Sequence, residues 1–244
     1  MNKKIAALLC AAAVAAPTHA AVVFQDSFNS NSTSAWTFSG LNSGNWAGAD
    51  NKLQSATTQT NHDGADVGFA SINGLSTTSH FKLEADVQVI GTVPGRGSDF
   101  GHVGFFWGYN SNSAYSTTYL RTHADHVTVW KSPFTTESTM PLSFNAMNAT
   151  DPFGVSYHLA IEVDYLTRTM ILSLDNVTAT YTDTVFDAAN SAGGIGGQLG
   201  MITWGERVSY DNVVLTDYTA TVPEPATLLL TALGAGALLL RHRT

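Results

Sequence analysis

The stretch His80-Phe81-Lys82-Leu83-Glu84-Ala85-Asp86-Val87-Gln88-Val89-Ile90 alternates between apolar and polar side chains from Phe81 to Val89. Successive side chains of a β-strand point to opposite faces, so Phe81, Leu83, Ala85, Val87 and Val89 line one face. Lys82, Glu84, Asp86 and Gln88 line the other. This period of two predicts a strand of a sheet that is packed on one side and wet on the other. Leu159, Ile161 and Val163 repeat the pattern against His158, Glu162 and Asp164, and Met170, Leu172 and Leu174 make a third inward row.

Further strands are expected at Val22–Phe28, Val67–Ile72, His102–Tyr109, Tyr115–His123, Val127–Lys131, Leu199–Trp204 and Tyr210–Thr216. Gly, Asn, Ser and Asp separate them, and there is no long amphipathic helix, internal repeat or interdomain linker. Short strands set off by turn residues predict an all-β protein, a two-sheet antiparallel sandwich over residues 21–221.

The ends read as addresses. Lys3 and Lys4 precede the apolar run Ile5–Ala16, and Thr18-His19-Ala20 supplies small residues at a cleavage site, so residues 1–20 form a signal peptide. The run is too short to cross a bilayer core of roughly 30 Å. Cys10, the only cysteine, lies inside it, leaving the mature chain without a disulfide or thiol nucleophile. At the other end Val222-Pro223-Glu224-Pro225 leads into the apolar stretch Ala226–Leu240 and then Arg241-His242-Arg243-Thr244. That order resembles the PEP-CTERM sorting signal of Gram-negative bacteria that make extracellular polysaccharide. The resemblance covers residues 222–244, with Pro223, Glu224 and Pro225 as the sorting motif. It implies recognition by an exosortase, transient insertion into the inner membrane, cleavage near the motif, and delivery to the cell surface or exopolysaccharide matrix.

The chain carries 11 Lys+Arg against 19 Asp+Glu, a formal net charge of −8. Without Lys3, Lys4, Glu224, Arg241 and Arg243 the middle holds 7 basic against 18 acidic residues, a net of −11. A surface that acidic repels phosphate backbones and excludes nucleic acid as a partner.

The middle also resembles the concanavalin A-like, laminin-G-like jelly-roll superfamily. The resemblance rests on Phe24-Gln25-Asp26-Ser27-Phe28, His80–Val87 and Ser209-Tyr210-Asp211-Asn212-Val213. It implies a jelly roll whose first and last strands lie side by side, with Asp26 and Asp211 at the positions where members often hold Ca2+. Calcium needs six to eight oxygen ligands, and two carboxylates do not fill them. The alternative is that Asp26 bonds local backbone and Asp211 opens a strand. Retaining hydrolases of this superfamily carry Glu-x-Asp-x-Glu, or a version one residue longer. Glu84-Ala85-Asp86-Val87-Gln88 ends in an amide, which cannot protonate a leaving group, and Glu162-Val163-Asp164 finds no second Glu. The expectation is a protein that is not an enzyme. His123-Ala124-Asp125-His126 reads as a hairpin connection, and Gly193-Gly194-Ile195-Gly196-Gly197 as a flexible loop without the Lys of a phosphate cradle.

One pattern points to a ligand. If Val103, Phe105 and Trp107 face inward, Phe106 faces outward; inward Leu120 puts Tyr115, Tyr119, Arg121 and His123 outward; inward Val127 and Val129 put Trp130 outward. A bulge of one residue would turn Trp107 outward instead. On neighbouring strands Phe106, Tyr119, Arg121, His123 and Trp130 would share one surface, where aromatic rings stack on sugar faces and Arg and His donate to hydroxyls. The competing reading makes these aromatics a second core. The first expectation is therefore an exported domain that binds extracellular polysaccharide. A structural or adhesive matrix protein that binds other proteins is the second, and a glycoside hydrolase the third.

Overall fold

The computed structural model describes residues 20–40, 43–56, 67–92, 102–111, 114–121, 126–131, 137–139, 154–182, 194–204 and 206–219. They fall within one compact unit, Ala20–Thr219. The signal segment before Ala20, the Pro223-Glu224-Pro225 motif and the hydrophobic segment after it lie outside the described residues. Among the described residues no helix is long and apolar enough to cross a membrane.

Fifteen strands are described: β1 Ala21–Asp26, β2 Trp36–Gly40, β3 Trp46–Ala49, β4 Lys52–Ala56, β5 Val67–Ile72, β6 His80–Thr92, β7 His102–Ser111, β8 Ala114–Arg121, β9 His126–Lys131, β10 Glu137–Thr139, β11 Ser156–Asp164, β12 Thr169–Leu174, β13 Val177–Thr182, β14 Gln198–Trp204 and β15 Glu206–Asp217. They form two antiparallel sheets. One runs β13-β12-β11-β6-β15-β4-β3, with β1 also paired to β15; the other runs β10-β9-β8-β7-β14-β5-β2. Every strand expected from the sequence is present. The β1–β15 pairing sets Asp26 opposite Val213 and Ala21 opposite Asp217, so the first and last strands lie side by side.

β6 is the axis of its sheet. It pairs with β11 from Ser156↔Gln88 to Asp164↔His80 and with β15 on its other flank. Phe81, Leu83, Ala85, Val87 and Val89 are all buried, as the alternation requires. They meet Val103, Phe105, Trp107, Leu120, Leu199 and Met201 from the facing sheet in one core.

Two aromatic groups close the flank of this core. Trp36 packs edge-on to Phe24 at 5.5 Å and against Phe28 at 5.7 Å. Trp46 stacks between Phe38 at 6.0 Å and Tyr210 at 6.1 Å. Tyr210 then reaches from β15 across the core into the other sheet. Its hydroxyl accepts the Gly104 N–H at 3.0 Å, and its one proton has the Ile202 carbonyl at 2.5 Å and the Gly104 carbonyl at 3.0 Å as acceptors. Total burial pushes this phenol far above its ordinary range. Gly104 is required beside it, because a Cβ there would stand 2.0 Å from the Thr118 carbonyl oxygen.

Removing one partner of a buried hydrogen bond strands the other. Tyr210→Phe keeps the ring and leaves the Gly104 N–H without its acceptor. Urea unfolding is expected to show a loss of about 1–3 kcal/mol; an unchanged midpoint would contradict the bridging role.

Candidate functional site

The outer face of the seven-stranded sheet carries an aromatic cluster. Val103, Phe105 and Trp107 of β7 point into the main core, so Phe106 points away from it. Phe106 is nevertheless 0% exposed, and Tyr119 is 2% exposed. Phe106 belongs to a second apolar cluster with Val67, Phe69, Tyr115 and Ile202, with Tyr109 and Trp204 at its margin. Phe69 lies 5.0 Å from Phe106, 4.9 Å from Tyr109 and 5.0 Å from Tyr115. Burial, together with the neighbouring Tyr109, pushes the Tyr115 phenol well above its usual range.

The expected open platform is therefore corrected in part. The alternation is right, but Phe106 and Tyr119 are interior groups, and Phe106 is enclosed by the rings of Phe69 and Tyr109. Arg121 ends β8, opposite His102 and His126. Trp130 stands opposite Thr117 of β8 and Glu137 of β10. His123 lies outside the described residues.

An opening lies at the other end of β7. Phe106 pairs with Gly200 but Tyr109 pairs with Gln198, so β7 spends three residues where β14 spends two. Gly108 absorbs this bulge in the left-handed region, at φ +64°. The bulge falls after Trp107, which stays fully buried, and it sends Tyr109 to the Phe106 side with the rings 5.7 Å apart.

Thr77 holds the bulge in place. It is 1% exposed. Its hydroxyl accepts the Gly108 N–H at 2.9 Å and donates to the Gly197 carbonyl at 3.1 Å. Its own N–H also donates to the Gly197 carbonyl, and its carbonyl accepts the Gly196 N–H, both at 2.8 Å. Gly196 and Gly197 are thus pinned, where the sequence suggested a flexible loop. A Cβ on Gly197 would lie 2.3 Å from the Gly108 carbonyl carbon. Tyr109, Asn110, Gly196, Gly197 and Gln198 line an open pocket of about 270 Å³. Tyr109 is half-buried, and Asn110 and Gln198 are exposed. This arrangement offers an aromatic ring edged by two neutral amides over a glycine wall. Strict alternation hides it, since only the glycine after Phe106-Trp107 signals the shift.

The carboxylates weighed for catalysis lie elsewhere, on the outer face of the eight-stranded sheet. Glu84 pairs with Lys82 and lies 3.5 Å from His158 Nε2. Asp86 meets His158 Nδ1 at 2.9 Å and accepts the Asn212 amide at 2.8 Å. Glu162 meets His80 Nε2 at 2.9 Å and accepts the Tyr218 hydroxyl at 3.4 Å.

Asp26 and Asp211 are each engaged in local hydrogen bonds. Asp26 Oδ1 accepts the Phe28 N–H at 2.8 Å and Oδ2 the Trp36 indole N–H at 2.9 Å, so both oxygens already serve donors. Asp211 Oδ1 accepts the Asn212 N–H at 2.7 Å. Among the described residues no group of three or more His, Cys, Asp and Glu is placed to hold a metal. The local-bonding alternative describes Asp26: it shapes the turn after β1 and seats Trp36.

No family model matches the chain, and no curated protein matches it in sequence. Solved structures do match in fold. A protein with a galectin-like fold from Bacillus subtilis has a TM-score of 0.53 at 11% identity, over 80% of this chain and 95% of the other. A carbohydrate-binding module from Bacillus subtilis has a TM-score of 0.52 at 18% identity, over 75% and 96%. An endo-1,3-β-glucanase from Streptomyces sioyaensis has a TM-score of 0.51 at 12% identity, over 82% and 97%. The fold is a two-sheet antiparallel jelly-roll sandwich.

Two variants test these assignments. Thr77→Val leaves the buried Gly108 N–H without an acceptor and should cost about 1–3 kcal/mol in chemical denaturation, whereas Thr77→Ser should cost less. Asp26→Ala should destabilise by about 1–3 kcal/mol, equally in calcium and in chelator. A loss confined to calcium-containing buffer would favour the metal reading.

Proposed function

We propose that this chain is an exported, non-catalytic domain that binds extracellular polysaccharide. The observation that carries this reading is the open pocket of Tyr109, Asn110 and Gln198, made by the Gly108 bulge on the sheet face lined with aromatics. Aromatic rings flanked by neutral amides suit the mixed apolar and hydroxylic surface of sugars. The likeness in fold to a carbohydrate-binding module supports the same reading. Glu84-Ala85-Asp86-Val87-Gln88, which ends in an amide where the hydrolase pattern needs a second carboxyl, supports binding without turnover. The signal-like start and the Pro223-Glu224-Pro225 tail place the domain, on this proposal, at the cell surface or in the exopolysaccharide matrix after exosortase processing.

A matrix protein that binds other proteins is the second reading. It is favoured by β1, which pairs only with β15 among the described strands and exposes Val22 and Val23. Unpaired strand edges with apolar side chains recruit other strands.

The test incubates the full chain with immobilised neutral and acidic polysaccharides and assays new reducing ends in the same wells. Retention without cleavage is expected, and Tyr109→Ala should weaken it about tenfold. New reducing ends would overturn the non-catalytic reading. Failure to bind any polysaccharide, with self-association in solution, would favour the β1-edge reading.

A further inference from the structure

We infer that a cavity beside β1 binds a primary ammonium carried on an unbranched aliphatic stem, with Asp217 as its counter-ion. This cavity shares no lining residue with the Tyr109 pocket, and the site does not rest on the carbohydrate reading.

Val213 and Leu215 of β15 belong to the core, so a period of two turns Asp217, at the strand's end, inward as well. Asp217 stands opposite Phe81 of β6 on one side and Ala21 of β1 on the other. Along β1 the register passes from Val22↔Thr216 to Phe24↔Leu215, which leaves Val23 as the extra residue of a bulge. A cavity of about 170 Å³ opens here, lined by the buried Phe81 and Leu215 and by the more exposed Val23 and Leu75. A dry apolar cavity of about 150 Å³ admits benzene, so there is room for a stem of about four to six carbons. Asp217 is the one charged residue in the lining. Its Oδ1 accepts the Thr219 N–H at 2.7 Å and the Thr219 hydroxyl at 2.6 Å, with the Thr78 hydroxyl 3.1 Å away. Among the described residues no donor meets Oδ2 and no cation pairs with the carboxylate.

The two Thr219 donors fill the lone pairs of Oδ1 and fix the side chain, while Oδ2 keeps both of its own. An ionised carboxylate only accepts, and its strongest partner is a cationic donor. Guanidinium presents a fork that needs two open oxygens; with one open, the point charge of an ammonium fits. The stem then leaves water for the apolar lining. A neutral alcohol keeps that contact and lacks the ion pair, and a carboxylate meets Asp217 as a like charge. The chain's acidity also gathers cations before contact. A free amine and a lysine side chain carry this same group, and the experiment separates them.

The experiment titrates n-butylamine, n-butanol, butyrate and n-butylguanidine against the full chain at neutral pH, followed by ligand-observed NMR. n-Butylamine should bind with a Kd on the order of 1 mM, about tenfold tighter than n-butanol, and butyrate should not bind. Asp217→Asn keeps an oxygen for the Thr219 donors and removes the charge. It should weaken n-butylamine about tenfold and leave n-butanol unchanged. Val23→Phe fills the cavity from an exposed bulge position and should abolish binding of both at an unchanged melting temperature. Nα-acetyl-lysine amide assigns the source: binding equal to that of n-butylamine makes lysine side chains ligands, and no binding confines the site to free amines. n-Butanol or n-butylguanidine binding as tightly as n-butylamine overturns the ammonium assignment. Amine binding that survives both substitutions, or no amine binding at all, overturns the site.

Discussion

A jelly roll is two sheets held by contact between side chains, and apolar contact alone tolerates sliding. In this chain the slide is blocked by one phenol. Tyr210 belongs to β15, yet its hydroxyl sits in the ladder between β7 and β14, bonded to Gly104 and Ile202. A buried polar group left unpaired costs more than a paired one gains, so the two sheets have one registration that satisfies Tyr210. Trp46 stacks on the same ring, and Gly104, which bonds the hydroxyl, lets β8 approach β7 closely where a Cβ would meet the Thr118 carbonyl. With that registration set, Phe105 and Trp107 face the β6 row, and the alternation along β7 has a fixed meaning.

The two outer faces then diverge in chemistry. On the eight-stranded sheet, Lys82, Glu84, Asp86, His158 and Glu162 form a half-exposed lattice of ion pairs and hydrogen bonds across β6 and β11. Such pairs contribute little stability each, but they keep a broad sheet wetted. On the seven-stranded sheet, Phe69, Phe106, Tyr109 and Tyr115 pack ring to ring instead. The domain thus carries charged groups on one outer face and packed aromatic rings on the other.

Most of the architecture was legible because a period of two is a strong signal wherever one face is buried. It was strongest in β6, β11 and β12, where every second residue is apolar. Strands that lack the signal were invisible. Trp36–Gly40, Trp46–Ala49 and Lys52–Ala56 are short and rich in Gly, Ser and Ala, and only their pairing, with β5, β4 and β15 in turn, marks them as strands. Val177–Thr182 does alternate, but its outward residues are threonines and its place is set by a two-residue turn after Leu174. The site was half legible. Alternation put Phe106 and Tyr119 on the correct face, yet burial there depends on how densely neighbouring strands supply aromatics, a property of pairing and not of one strand. Tyr109 was missed because the Gly108 bulge breaks the parity on which the reading relied. Asp26 was placed correctly beside β15, but its partner Trp36, ten residues on, could be found only in three dimensions.

The pairing of β1 with β15 has a mechanical side. Ala21 stands opposite Asp217, so the start of the first strand and the end of the last meet at one corner. Tension drawn between residues 20 and 219 would load the hydrogen bonds of that ribbon one rung at a time, an unzipping geometry, and never in parallel as shear. β1 would peel first, drawing Asp26 off the Trp36 indole, while β6, β15 and β4 kept their ladders. The corner where Ala21 faces Asp217 is therefore where such a pull would first be borne.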